Sequence, residues 1–128
     1  MDILNKIQEY TYENIGRLLF KIVPEYKTVF DSDSYRHEAV IGNYAFMNSF
    51  ATILANEIVK DKSSEFVNNS FKFINCISES NNLEVLNILK VGILEILYTS
   101  GVTVRNITLE KLNDKNKLFF MNFSQFYL

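Results

Sequence analysis

His37 is the only histidine in the chain, and it stands among acids: Asp31 and Asp33 come before it and Glu38 follows directly. Imidazole and carboxylate together make a donor set for a divalent ion. A calcium loop counted from Asp31 needs Gly in its sixth place and Glu in its twelfth, whereas the chain puts Arg36 and Gly42 there. The segment reads instead as a helix start, in which Asp33 or Ser34 accepts from the first free amides and the carboxylates meet the positive end of the helix dipole. No metal site is expected. Glu95 also stands out, because it lies between Ile88, Val91 and Tyr98, in an apolar stretch where an ionised carboxylate is costly without partners. A general acid or base needs a second titrating group in the same pocket, and no motif supplies one. The expectation for Glu95 is a structural bond from loop amides, a Tyr hydroxyl or a Lys ammonium. Cys76 has Lys72 as its basic neighbour one turn away, too little to activate a thiol. There is no Gly-x-Ser-x-Gly turn, Walker loop or dinucleotide glycine pattern. No catalytic residue and no cofactor are expected.

The elements that position these residues follow from hydrophobic spacing. Ile3, Ile7, Ile15, Leu18, Leu19 and Ile22 recur at helical intervals over 2–23, with bends at Gly16 and at Thr11 to Tyr12. Pro24 ends that helix, 25–30 adds one further turn, and Asp31-Ser32-Asp33-Ser34 is a loop whose side chains bond their own backbone. Over 36–59, Val40, Tyr44, Met47, Ala51, Leu54 and Ile58 form one stripe and Phe46, Phe50 and Ile53 a second, so this helix needs cover on two sides. Asn48, Ser49, Thr52, Asn56 and Lys60 make its solvent strip. Ser63 or Ser64 caps the next helix, which turns Phe66, Val67, Phe71, Phe73, Ile74 and Ile77 inward and Glu65, Asn68, Asn69, Lys72, Asn75 and Glu79 outward. Ser80-Asn81-Asn82 is the following turn and cap, and over 83–98 apolar residues fall on nearly every side of the helical wheel, which predicts the central helix. Ser100-Gly101 stops it. The remainder reads as a short helix over 103–112, a turn over 113–116 and a final stretch over 117–128 whose period fits either helix or strand, with helix preferred.

With β-branched residues at helical spacing and no convincing period-two stretch, the chain reads as all-α. The expected form is a single domain, a stack of antiparallel helical hairpins with about five to six helices. Its 128 residues, 48% of them hydrophobic, suit one core. Lys plus Arg number 13 against 15 Asp plus Glu, which gives no basic field for a phosphate backbone, so nucleic acid is not an expected partner. No apolar run approaches the ~20 residues that cross a bilayer. The first residues lack a basic start with an apolar core behind it, so the expectation is a cytoplasmic chain with no membrane partner. Abundant Asn, Ile, Lys, Phe and Tyr fit the AT-rich coding sequence of a low-GC bacterium or its phage.

The 7 Tyr and 11 Phe must mostly build the core, since burying one ring is worth ~1.5–3 kcal/mol. Phe119, Phe120, Phe123, Phe126 and Tyr127 cover too much of a wheel for a terminal element to hide against one neighbour. Either the terminus wraps the open end of the stack, or part of this cluster meets another chain, a second copy in a homodimer being one choice. The run His37-Glu38-Ala39-Val40-Ile41-Gly42-Asn43-Tyr44-Ala45-Phe46, then Phe71-Lys72-Phe73-Ile74 and Leu89-Lys90-Val91-Gly92-Ile93-Leu94-Glu95-Ile96-Leu97, resembles a family of small, uncharacterised all-helical bacterial proteins. Val23-Pro24-Glu25 matches its early proline step and Gly42-Asn43-Tyr44 its Gly-Asp-Phe-like element, with Asn43 in place of the commoner acid. The likeness covers most of 24–98. Some proteins of this kind are similar to immunity proteins of polymorphic toxin systems, which implies a protein partner, a cognate toxin, that is bound and neutralised. The candidate partner-binding residues are then Asp31, Asp33, His37, Glu38, Glu65 and Lys72, with Phe123 and Tyr127 from the C-terminal cluster. Acidic residues would meet a basic toxin. The alternative is a self-associating structural module.

Overall fold

A computed structural model describes residues 7–29 and 43–127. Asp31, Asp33, His37 and Glu38, with the loop and helix start expected around them, lie outside the described residues. Among the described residues all regular structure is helical, in seven rods when 83–98 is taken as one. These are α1 (Ile15–Ile22), α2 (Pro24–Val29), α3 (Asn43–Lys60), α4 (Glu65–Ile77), the composite rod, α7 (Val102–Lys111) and α8 (Asp114–Met121). The composite rod consists of α5 (Leu83–Asn87), a π-helical segment (Ile88–Leu94) and α6 (Glu95–Tyr98).

The helix expected over 2–23 is broken. A 3-10 turn, Ile7–Glu9, precedes α1, and between them Thr11 N donates to Asn14 Oδ1 at 2.6 Å. An Asn side chain thus takes the place of a helical carbonyl, and the helix starts afresh at Ile15. Pro24 both ends α1 and opens α2, since a first-turn residue has no use for the N–H that proline lacks. Tyr26 of α2 is fully buried, with its ring 5.2 Å from Phe50 and 6.0 Å from Phe46. Phe50 in turn meets Phe73 edge-on at 5.8 Å, so these rings fasten α2 and α4 to α3.

α3 buries Phe46, Met47, Phe50, Ala51, Leu54, Ala55 and Ile58, so both of its expected stripes are covered. It packs against α1, α4, the π segment, α6 and α7. The central position therefore belongs to α3, where the apolar wheel predicts 83–98. Burial along the composite rod gives the reason. An α-helix continued from Val85, Leu89 and Gly92 would turn Ile96 and Thr99 inward. The residues buried are instead Leu97 and Tyr98, and Thr99 is exposed. The phase slips by one residue, and the wider π turn absorbs the slip, with Glu95 N donating to Lys90 O five residues back. What looks like a helix apolar all round is two stripes placed end to end and out of register, and Leu83 and Val91 remain exposed. Gly92 marks the closest approach, because a Cβ there would lie 3.3 Å from Met47 Cβ.

The helix ends are set by small polar residues. Ser64 Oγ accepts from Val67 N at 3.1 Å and starts α4, and Asn82 Oδ1 accepts from Glu84 N and Val85 N at 2.9 and 3.2 Å and starts α5. These are N-caps of the expected kind. Gly101 has φ 107°, a region cheap only for glycine, and it separates α6 from α7. The turn expected over 113–116 is the first turn of α8: Asn113 Oδ1 accepts from Asn116 N at 2.9 Å. The last helix accordingly starts earlier than its apolar pattern suggests, and it gives way to a 3-10 turn, Asn122–Gln125. Cys76, placed by its spacing at the polar edge of α4, is buried.

Candidate functional site

Two groups of side chains hold the C-terminal segment, 102–127, to the rest of the chain. The first surrounds Asn75, which the sequence pattern places on the outer face of α4. Its Nδ2 donates to Lys111 O at 3.1 Å, and its Oδ1 accepts from Asn113 N at 3.0 Å and from Asn116 Nδ2 at 3.1 Å. Asn113 Nδ2 donates to Ser78 Oγ at 3.1 Å, and Asn116 Nδ2 donates to Ile74 O at 3.1 Å. Asn116 is fully buried. The cluster serves the carbonyls and amides at the end of α4, the end of α7 and the start of α8, which would otherwise stay unpaired inside.

The second group is built on Tyr98, the last residue of α6. Its ring meets Phe120 of α8 at 5.2 Å, Phe123 at 5.8 Å and Tyr127 at 6.0 Å. Arg105 of α7 lies over the same ring, 4.0 Å from its centroid, and donates through Nε and one terminal nitrogen to Tyr98 O at 3.1 and 3.0 Å. One guanidinium thereby caps the end of α6 and stacks on its last aromatic residue. Glu95, three residues earlier on the same rod, is half-buried and accepts a hydrogen bond from Tyr127 Oη. Of the partners expected for Glu95, the Tyr hydroxyl is the one found. The Tyr127 phenol is held above its ordinary range by this bond to Glu95 first, then by desolvation and by the carboxylate's charge. Tyr127 therefore keeps its proton and acts as donor.

Several apolar side chains of α8 and the tail are exposed. Leu118 is 73% exposed, Met121 49% and Phe126 75%. Leu118 and Met121 stand one turn apart on α8 and so share a face. On the far side of α8, Lys90 lies 4.4 Å over the Phe119 ring. Of the sequence-derived candidates, Phe123 and Tyr127 are brought together at Tyr98. Glu65 and Lys72 are exposed on α4, a separate element, and no hydrogen bond or ion pair joins either to the Tyr98 group. Asp31, Asp33, His37 and Glu38 lie outside the described residues. Sequence reasoning missed Tyr98 as a hub and Arg105 as its cap. The readable signal was an aromatic at the end of a helix with an Arg seven residues on, a spacing that reaches back over a tight Gly turn.

Among the described residues no group of three His, Cys, Asp or Glu could hold a metal ion, and no helix is long and apolar enough to cross a membrane. Compared with protein-family models, with curated proteins and with solved structures, the chain matches none.

Proposed function

We propose that this chain is a non-enzymatic protein-binding domain, an immunity-type protein of a bacterial cytoplasm that engages and neutralises a toxin. In this reading the helices stack as antiparallel hairpins and serve as a rigid frame, and the surface does the work. One observation carries it: Leu118, Met121 and Phe126 are exposed on α8 and the tail after it, the same segment that bonds to Glu95 through Tyr127. Large apolar side chains left exposed on one segment are a feature of protein-contact surfaces. The outer face of α4, with Glu65 and Lys72, offers a second, polar surface. The test is co-expression with the protein encoded immediately upstream. A complex on size exclusion and protection from that protein's toxicity are the expected results, and absence of both overturns the reading. Self-association through the C-terminal aromatic residues is the second reading, favoured by the same exposed side chains. In that case the isolated chain elutes as a dimer, and Phe126→Ser returns it to monomer.

A further inference from the structure

Beyond Asn122, whose N–H still donates to carbonyls of α8, the tail is held to the rest of the chain by side chains. None of the residues 122–127 is buried, and Phe126 is the most exposed ring of the cluster. Its backbone bonds are local, with Phe126 N and Tyr127 N both donating to Phe123 O at 2.9 and 3.1 Å. The one side-chain hydrogen bond that leaves the tail among the described residues is that of Tyr127 to Glu95. Segments with few buried contacts open locally at small free-energy cost.

The floor under Tyr127 is held independently of the tail. Phe120 packs against the Tyr98 ring from α8, and Arg105 fixes both its face and its carbonyl from α7. When the tail lifts, Tyr98 and Glu95 keep their places and two needs appear together: a ring face lacks its neighbour, and a half-buried carboxylate lacks its donor. Phenylalanine answers the first need and leaves the carboxylate to water, without the charge-assisted bond that a phenol supplies. A lysine answers the second and leaves the ring bare. A tyrosyl side chain meets both, as Tyr127 does.

We propose that Glu95 and Tyr98, backed by Phe120 and Arg105, form a tyrosine-accepting docking site, occupied in the free chain by Tyr127, and that a partner protein engages it by inserting a tyrosine in exchange. The proposal rests on the protein-binding reading above and names the chemistry that the partner supplies. The exchange makes binding competitive with the chain's own tail, so the free protein is partly self-blocked and its apparent affinity falls by the fraction of time the tail is seated.

The full-length Tyr127→Ala variant empties the site, and N-acetyltyrosinamide is the probe, followed by chemical shifts of the Tyr98 ring. Saturable binding to Tyr127→Ala is expected, about tenfold weaker binding to the wild-type chain, and about tenfold weaker binding of N-acetylphenylalaninamide, which lacks the hydroxyl. Adding Glu95→Ala should remove the preference for the hydroxyl. No saturation, equal binding of the two amides, or equal binding to wild type overturns the proposal. Unfolding of Tyr127→Ala overturns it too, because the tail would then be part of the core. A wild-type dimer abolished by Tyr127→Ala assigns the site to a second copy's tail and removes the exchanging partner. If the amide binds as predicted while no partner protein is captured, the docking site stands and the immunity reading falls.

Discussion

At the start of α8, Asn113 and Asn116 bond to Asn75 and to the backbone of α4, and each side-chain bond replaces one that the chain cannot make locally. At the other end of the same segment, Tyr127 bonds to another side chain, Glu95, and lies on a ring, with its own backbone bonded only within the tail. Both places use polar side chains to fasten 102–127 to the rest of the molecule. The difference is what happens on release. Removing an Asn strands amides and carbonyls inside the protein, whereas lifting Tyr127 exposes a phenol and a carboxylate that water can solvate. The first arrangement locks; the second can be exchanged. The comparison separates scaffold from working surface without reference to motif.

The largest effect that would test it is at the locked end. Asn75→Ala should cost about 3 kcal/mol in urea unfolding, because Lys111 O and Asn113 N lose their side-chain partner at once and the Asn116 amide loses one of its two acceptors. A loss below about 1 kcal/mol would make the two regions equivalent. Next comes Gly92→Val, expected to cost about 2 kcal/mol by overpacking against Met47. Deletion of Val91 should be nearly neutral, within about 1 kcal/mol, since removing one exposed residue from the π segment leaves a continuous α-helix in phase with both apolar stripes. Unfolding of that deletion would show that the π turn has a role beyond register. At the exchangeable end, Tyr127→Phe should leave the thermal midpoint unchanged and speed amide exchange in the tail. The smallest effect is on pH. Because the folded chain holds the Tyr127 proton more tightly than the unfolded chain, the contribution of this contact is complete below the ordinary phenol value of 10.0. It is lost as pH rises through the higher folded value. Tail resonances should sharpen there while those of α8 do not change.

Much of the fold is legible in the residue pattern because helical spacing reports burial directly. The two stripes over 36–59 and the caps at Ser64 and Asn82 follow from side-chain type alone. The break at 11–14 is read as a bend at Thr11 to Tyr12, but not as a fresh helix start, and the early start of α8 is less readable still, since Asn14 and Asn113 act through side-chain bonds that leave no periodic trace. The composite rod misleads for a different reason. A wheel assumes one constant turn, and a π segment changes the turn partway, so stripes that are narrow on each side of it superimpose into an apparently all-apolar helix. Glu95 was visible as an anomaly, but its partner lies 32 residues away, and no spacing rule connects them. The exposed Leu118 and Phe126 look like core residues in any composition count. Only the packing distinguishes them from Phe120, one ring in the same run that is fully buried.

Amide hydrogen exchange resolved by residue addresses the difference between the two ends most directly. The amides of Asn113, Asn116 and Lys117 should exchange only through global unfolding, and those of Phe126 and Tyr127 on the order of 100-fold faster through local opening. Equal protection at the two ends would mean that the tail is welded to the core, and Tyr127 could not then yield its place to anything.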